Sequence, residues 1–489
     1  MQQLLTTTTP APTADDQAPL ARVALGIVLA AQLVVVLDFS IVNVSLPDLI
    51  AGLGVSESSA DWVVTAYALT FGGLLIVGGR ACDVFGRRRM LLVGLTVFGV
   101  ASMAGGLAPS LTLLIVARAV QGMAAALIAP AALSTLTTSY QEGPARNRVL
   151  GYYGVMASAG FVAGLVVGGA LVETIGWRSV LFVNVPLCAL MALVGERTLP
   201  ADVGDLTHQV KLDLAGGVMV TAGMAGLVLA PTVGTNSGWT SPEFAACLLA
   251  SAGLIYAFVS RQRHSRSPLV PLTIFRHRAV VVGDLVSGLI GAWNAGEVLV
   301  LSLYCQQVLG YSPLVAGLVS VPQGVGGVLR GAVGPRLLER IGLRRFLLAS
   351  CALTGVSLFS LFRFPATSQY PLLGLVLLGI GFGTTSLVYG STVAGSTGIA
   401  NHEQGVAGAL MNATRQIGAA LGVAAIASLV TSTEGVGADP AGLAADLRTA
   451  LTLACGLVLV AAVISLAAPR RAEIAEGRPF RRADPRHCR

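Results

Sequence analysis

The chain has 489 residues, of which 54% are hydrophobic and 11% charged, whereas a soluble domain carries roughly 25% charged residues. With a mean hydropathy of +0.77, this excludes a water-solvated globule and places most of the chain in a lipid bilayer. The formal net charge of +7 is spread over short loops between apolar runs, a pattern of membrane topology that leaves no role for nucleic acid as a partner.

Residues 1–21 are rich in Thr, Pro and Ala and lack a basic region, and no small-residue cleavage site follows the first apolar run. They read as a disordered cytoplasmic tail, with no cleaved signal. A helix needs about 20 apolar residues to cross a bilayer, and the sequence offers fourteen such runs. Residues 22–198 hold six, centred near Val35, Leu69, Val97, Ala124, Val162 and Leu187. Residues 199–278 form a polar linker with two extra spans near Met224 and Leu254. Residues 279–468 hold six more, near Ile290, Val325, Gly355, Leu378, Leu421 and Leu457, and 469–489 make a basic cytoplasmic tail. The expected fold is all-α integral membrane, two six-helix bundles plus two extra central helices.

Threading the chain through fourteen spans puts Arg80, Arg87, Arg88, Arg89, Arg146, Arg148, the arginines of the later even-numbered loops and the tail on one side. Only Arg178, Arg363 and Arg448 fall on the other. Positive residues resist translocation, so both termini and the basic loops are expected in the cytoplasm and the spans in the inner (plasma) membrane. Two loops repeat one another. Asp83, Gly86, Arg88 and Arg89 follow the second span, and Glu339, Gly342, Arg344 and Arg345 follow the tenth with the same spacing. Internal repeats of this kind build many secondary transporters.

Nothing in the chain calls for a cofactor or metal. The seven cysteines are dispersed without a C-x-x-C pair and the five histidines are scattered. Lys211, the only lysine, follows Val210, so the G-x-x-x-x-G-K-[ST] loop that cradles nucleotide phosphates is missing. No cluster such as D-x-x-x-D lies in or near a span, which argues against a membrane-embedded enzyme, and no soluble signalling domain supports a sensor. An ion gradient remains as the energy source, one charge crossing about 100 mV giving about 2.3 kcal/mol.

Coupling to a gradient calls for a titratable group inside the membrane, where charge is costly and protonation can be tied to conformation. Asp38 lies mid-span in the first helix, Glu297 lies deep in the ninth, and Asp284 is about one and a half turns into the ninth. Asp38 and Glu297 are the expected proton or cation sites, the alternative being structural ion pairs or polar groups facing an aqueous vestibule. Asp284, nearer the cytoplasmic end, is expected to be solvated. Arg118 is the natural counter-charge for Asp38, because a lone buried ion costs several kcal/mol. When that pair opens, the carboxylate can take a proton. Arg330 is expected to snorkel to the cytoplasmic surface, and Arg415 to be either structural or cavity-lining. In the fifth span Gly160, Gly164 and Gly168, followed by Gly169, form a small-x-x-x-small face open to a packing or a gating role.

Several stretches carry a longer pattern: Leu37-Asp38-Phe39-Ser40-Ile41-Val42-Asn43-Val44-Ser45-Leu46-Pro47; Gly79 to Arg88 around Asp83, Gly86 and Arg87; Arg118-Ala119-Val120-Gln121-Gly122; Gly176-Trp177-Arg178 to Asn184 and Pro186; Gln307 to Pro313; and Arg415-Gln416-Ile417-Gly418. Over nearly the whole chain they resemble the fourteen-spanner drug:proton antiporters of the major facilitator superfamily. The first is similar to that family's L-D-x-T-I-V-N-V-A-L-P signature. The resemblance implies efflux of amphipathic or cationic drug-like molecules in exchange for protons, with Arg118 in proton transfer and Gly79, Asp83, Gly86, Arg87 and Arg88 as a conformational latch. The same machinery serves a dedicated exporter of one host-made metabolite or antibiotic. Where the family reads G-P-x-x-G-G, this chain has Leu165 after Gly164, so the proline that would bend the fifth helix is absent.

Overall fold

The computed structural model describes residues 20–202, 213–265, 268–305, 309, 311, 313–361, 370–430 and 440–469. Most of both tails, Lys211, Arg363 and the motif positions Gln307, Gly310 and Ser312 lie outside the described residues. In hydrocarbon every backbone N–H and C=O must be satisfied within its own segment, so the long apolar runs become helices.

The first group is α1 (Arg22–Leu53), α2 (Glu57–Phe85), α3 (Arg87–Gly106), α4 (Leu111–Ser139), α5 (Pro144–Thr174), the short α6 (Ser179–Phe182) and α7 (Asn184–Thr198). Next come α8 (Leu214–Ser237) and α9 (Pro242–His264). The last group is α10 (Arg278–Leu303), α11 (Pro313–Val319), α12 (Val321–Ile341), α13 (Leu343–Leu361), α14 (Tyr370–Ser396), α15 (Gln404–Val430) and α16 (Pro440–Ser465).

Each of the fourteen expected span centres lies inside a helix. Among the described residues, eleven segments are long and apolar enough to cross a membrane, α6 and α7 counting as one. The other three centres fall on α8, α12 and α15. In α12 the side chains of Arg330, Arg336, Glu339 and Arg340 lower the apolarity.

In the first group α1 packs on α4 and α5, α2 on α4, and α3 on α4 and α7. In the last group α10 packs on α14, α15 and α16, and α12 and α13 pack on α14. Two seams join the groups, α5 against α12 and α2 against α15. The inserted pair lies on the second seam, with α9 on α8 and α8 against both α2 and α15. There Leu75 and Ile76 of α2, Val220 and Met224 of α8, and Val406 and Leu410 of α15 share one apolar cluster. Removing this surface from a polar surrounding favours keeping the seam covered.

The repeated loops also share a backbone device. Gly86 alone separates α2 from α3 at φ +97°, and Gly342 alone separates α12 from α13 at φ +79°. A Cβ is strained in this left-handed region, which is why glycine occupies both turns.

Candidate functional site

Asp38 sits at the centre of the first group and is fully buried. Arg118 and Gln121, three residues apart and therefore on one face of α4, both reach it. Arg118 Nη1 donates to Asp38 Oδ2 at 2.5 Å and Gln121 Nε2 donates to Oδ1 at 3.2 Å. The break between α6 and α7 puts Asn184 in the first turn of α7, where its Nδ2 donates to the same Oδ1 at 2.7 Å. Arg118 also donates to Gln121 Oε1 at 2.9 Å and through Nε to the Val63 carbonyl at 3.2 Å, and its guanidinium lies 4.4 Å from the centre of the Tyr67 ring. Gln121 completes its bonding by donating to Ser102 Oγ at 2.7 Å. The expected pairing of Asp38 with Arg118 is thus present, in a network drawn from five helices.

The glycine face of α5 sets how closely α1 approaches around this acid. A Cβ on Gly160 would lie 2.7 Å from the Leu33 carbonyl oxygen, and one on Gly168 would lie 2.7 Å from the Ile41 side chain. At Gly164 it would meet Ser40 Oγ and, at 2.8 Å, the Leu37 carbonyl oxygen. Ser40 Oγ itself donates to the Phe161 carbonyl on α5 at 2.7 Å. Gly169 is half-buried beside this face. Close packing of α5 on either side of Asp38 is what these residues achieve, and α5 is regular here with Leu165 in place of proline.

At the basic-loop end the two groups are held together by hydrogen bonds. Asp83 Oδ1 and Oδ2 accept from the Gly405 and Val406 amides at 3.0 and 2.9 Å, at the start of α15 where unpaired N–H groups favour a carboxylate. Arg87 lies 3.7 Å from Asp83 and donates to the Asn401 carbonyl. Arg88 donates to the Glu196 carbonyl, and Asp202 accepts from the amides of Arg88 and Arg89 at 2.8 and 3.1 Å. Gly79 lets α2 approach Gly405 and Ala409. Across the same end Arg146 donates to the Ser396 carbonyl at 2.6 Å, Glu142 accepts from the Gly398 amide at 2.7 Å, and Tyr389 donates to the Asn147 carbonyl at 2.9 Å. The seam is closed on this side.

In the last group, burial and pairing part company. Glu297 is buried on α10, with Oε2 accepting from Gln323 Nε2 of α12 at 3.1 Å and Oε1 without a hydrogen-bond partner among the described residues. One turn earlier, the indole N–H of the fully buried Trp293 has no hydrogen-bond partner among the described residues. Two expectations are corrected here. Asp284 is not solvated: it is 5% exposed, and neither of its oxygens has a partner among the described residues. It is buried where α10 packs among α14, α15 and α16, a packing that sequence position along one helix does not reveal. Arg330 does not snorkel: it is 0% exposed, its guanidinium lies 4.8 Å from the centre of the Tyr389 ring, and none of its three nitrogens has a hydrogen-bond partner among the described residues. Gly154 of α5 and Gly334 of its own helix leave it room in the α5–α12 seam, away from the surface. Arg415 donates to Asn412 and interacts electrostatically with Tyr153.

Sequence reasoning therefore finds Asp38, Arg118 and Glu297, and the structure joins only the first two. It misses Gln121, Asn184 and Ser102 as partners of the buried pair, Gln323 as the donor to Glu297, and Asp202 as the cap over Gly86. The signal was available for the amides, each a lone hydrogen-bonding group in an apolar run that needs a partner once buried.

The sequence profile of the Major Facilitator Superfamily matches residues 28–423. The puromycin resistance protein of Streptomyces alboniger is 37% identical over 457 residues, covering 90% of either chain. The cephamycin export protein of Amycolatopsis lactamdurans is 37% identical over 454 residues, covering 92% of this chain and 93% of that one. The lincomycin resistance protein of Streptomyces lincolnensis is 32% identical over 478 residues, with 94% and 96% covered. Among solved structures, the human organic anion transporter MFSD10 aligns with a TM-score of 0.63 at 16% identity over 91% of this chain and 99% of that one, a likeness of fold alone.

Proposed function

Because this chain belongs to the Major Facilitator Superfamily, we propose that it exports drug-like or antibiotic-like molecules across the plasma membrane in exchange for protons, without altering them chemically. The observation that carries the proposal is the buried Asp38–Arg118 pair, a charge held in a membrane core where it is costly to keep without a role. On this reading fourteen spans cross the bilayer, divided as 22–198, the linker with two spans at 199–278, and 279–468, and both termini are cytoplasmic.

The closed seam at Asp83, Arg87 and Arg146 is then the cytoplasmic gate. Release of that latch opens the path from the cytoplasm, and the glycine face of α5 lets α1 and Asp38 move as a unit against it. Asp38 and Glu297 are the coupling and substrate-facing acids. Glu297, with one oxygen unpartnered among the described residues, and Trp293 one turn away form a pair suited to an organic cation, the carboxylate supplying charge and the indole a π face. No cofactor enters the cycle.

A second reading, export of a single host-made antibiotic, is favoured by relatives that are each named for one compound. Protein in liposomes with an imposed inside-acidic gradient and an internal pH-sensitive dye distinguishes these. Broad efflux predicts proton movement triggered by many antibiotics and lipophilic cations, a dedicated exporter predicts a response to one, and in either case Asp38→Asn abolishes it. Equal proton movement in Asp38→Asn sinks the assignment of Asp38, and silence toward every compound, with measurable substrate transport, sinks proton coupling.

A further inference from the structure

We propose that Asp284 is a second proton-carrying carboxyl, neutral while the basic-loop side is closed and discharging its proton to that side when the seam opens. The inference rests on the export being proton-coupled.

Asp284 lies six residues from the start of α10, about 9 Å along the helix axis from that end. Glu297 lies thirteen residues further on, about 20 Å along the same axis toward the opposite side. One helix thus carries an acid toward each end.

The packing around Asp284 links it to the gate. A Cβ on the adjacent Gly283 would lie 2.8 Å from the Ser391 carbonyl oxygen and 2.7 Å from the Gly395 amide nitrogen of α14, and Ser287 Oγ donates to the Met411 carbonyl of α15 at 3.0 Å. These are the parts of α14 and α15 that lead directly to Ser396, Gly405 and Val406, the groups held by Arg146 and Asp83 from the other bundle. Opening the seam frees the helix ends against which Gly283 and Ser287, on either side of Asp284, are packed.

Among the described residues no charge compensates it in the closed state. The titratable and charged groups on the elements packed around α10 are Tyr370 and Tyr389 on α14, Arg415 on α15, Asp446, Arg448 and Cys455 on α16, and Arg276 and His277 in the turn before α10, with Arg278 and Glu297 on α10 itself. Among the described residues none of them acts electrostatically on Asp284, and neither of its oxygens receives a hydrogen bond. An ionised carboxylate buried without donors costs several kcal/mol, so this packing accommodates the neutral acid.

Once water enters from the basic-loop side the balance reverses, because a hydrated carboxyl ionises at neutral pH. The O–H bond breaks, the proton passes to water as hydronium, and the bonding pair stays on the carboxylate oxygen. To regain the neutral state after the seam has shut and the opposite side is accessible, that oxygen forms a new O–H bond with a proton delivered from the opposite side. Each closure is therefore tied to one proton, a second tie independent of the Asp38–Arg118 pair.

The test uses the full-length chain in lipid, comparing wild type with Asp284→Asn and Asp284→Glu by infrared difference spectroscopy and by protons moved per substrate molecule. The expected result is a protonated-carboxyl carbonyl band that is lost in Asp284→Asn and kept, shifted, in Asp284→Glu. Proton yield per substrate should fall in the asparagine variant and recover in the glutamate variant. An unchanged band, or a wild-type proton yield in Asp284→Asn, overturns the proposal. A wild type that transports substrate but moves no protons overturns proton coupling itself, and the infrared band then reports separately whether Asp284 is the neutral acid.

Discussion

In the bundle around α1, Asp38 meets Arg118, Gln121 and Asn184 within hydrogen-bond distance, whereas in the bundle around α10, Asp284, Glu297 and Arg330 are buried as deeply with polar atoms that have no partner among the described residues. Both arrangements place charge-bearing groups in low dielectric, and they differ in what it takes to disturb them. Breaking the first leaves an uncompensated ion on each side of the break. In the second the compensation is already missing, so hydration or protonation relieves it. The first bundle is built to hold, and the second to respond when the seam opens.

The largest effect should come from removing one partner of the held pair. Arg118→Met leaves Asp38 buried without its counter-ion, and such losses run to about 3–5 kcal/mol. Thermal unfolding in detergent or lipid should show a clear drop in melting temperature, and substrate-driven proton movement should vanish. The double variant Asp38→Asn with Arg118→Met should recover much of the stability and none of the transport. If the single and double variants melt alike, the two side chains are not coupled and the contrast between the bundles fails.

A change of opposite sign is expected at Arg330. Its guanidinium cannot shed its proton under ordinary conditions, so the closed seam carries beside Tyr389 a cation with no hydrogen-bond partner among the described residues. Replacing a buried charged group by an apolar one of similar volume is often neutral or stabilising by about 1–4 kcal/mol. Arg330→Met should therefore raise the melting temperature and slow export, as the gain belongs to the closed state. A fall in melting temperature comparable to that of Arg118→Met would mean that Arg330 has a partner and that the contrast between the two buried arginines fails.

The smallest effect is expected for a pair that is satisfied and partly in water. Asp213, the residue before α8, accepts from Arg261 Nε at 2.9 and 3.0 Å, and that hydrogen bond holds its carboxyl below the usual carboxylate range. A carboxyl whose folded-state value is depressed stabilises the fold above its unfolded value of about 3.9, and the stabilisation is lost as pH falls through the lower folded-state value. Asp213→Asn should thus melt slightly below wild type at neutral pH, with the gap closing in acid. A gap that widens in acid would reverse the sign and discard the pairing as its cause.

Much of the fold was legible because membrane solvation acts on runs of residues. Apolar length fixes where a helix must form, and all fourteen expected centres lie in helices, although the polar residues of α12 keep it outside the segments that pass by length and apolarity among the described residues. The glycine turns at Gly86 and Gly342 were equally readable, since their spacing repeats and their φ values demand glycine. The Asp38–Arg118 pair was readable because each is a lone charge in an apolar run and they have opposite sign.

What the sequence by itself determined is therefore the set of helices, the loops that carry positive charge, and the few residues too costly to bury without a reason, all of them consequences of local solvation. Only the tertiary structure decided which of those residues meet: that Gln121 and Asn184 complete the Asp38 site, that Arg330 faces Tyr389 instead of the surface, that Asp284 is buried, and that α8 covers the α2–α15 seam. The physical reason is that a helix constrains which residues share a face, whereas the direction in which that face points is set by packing among helices far apart in the chain.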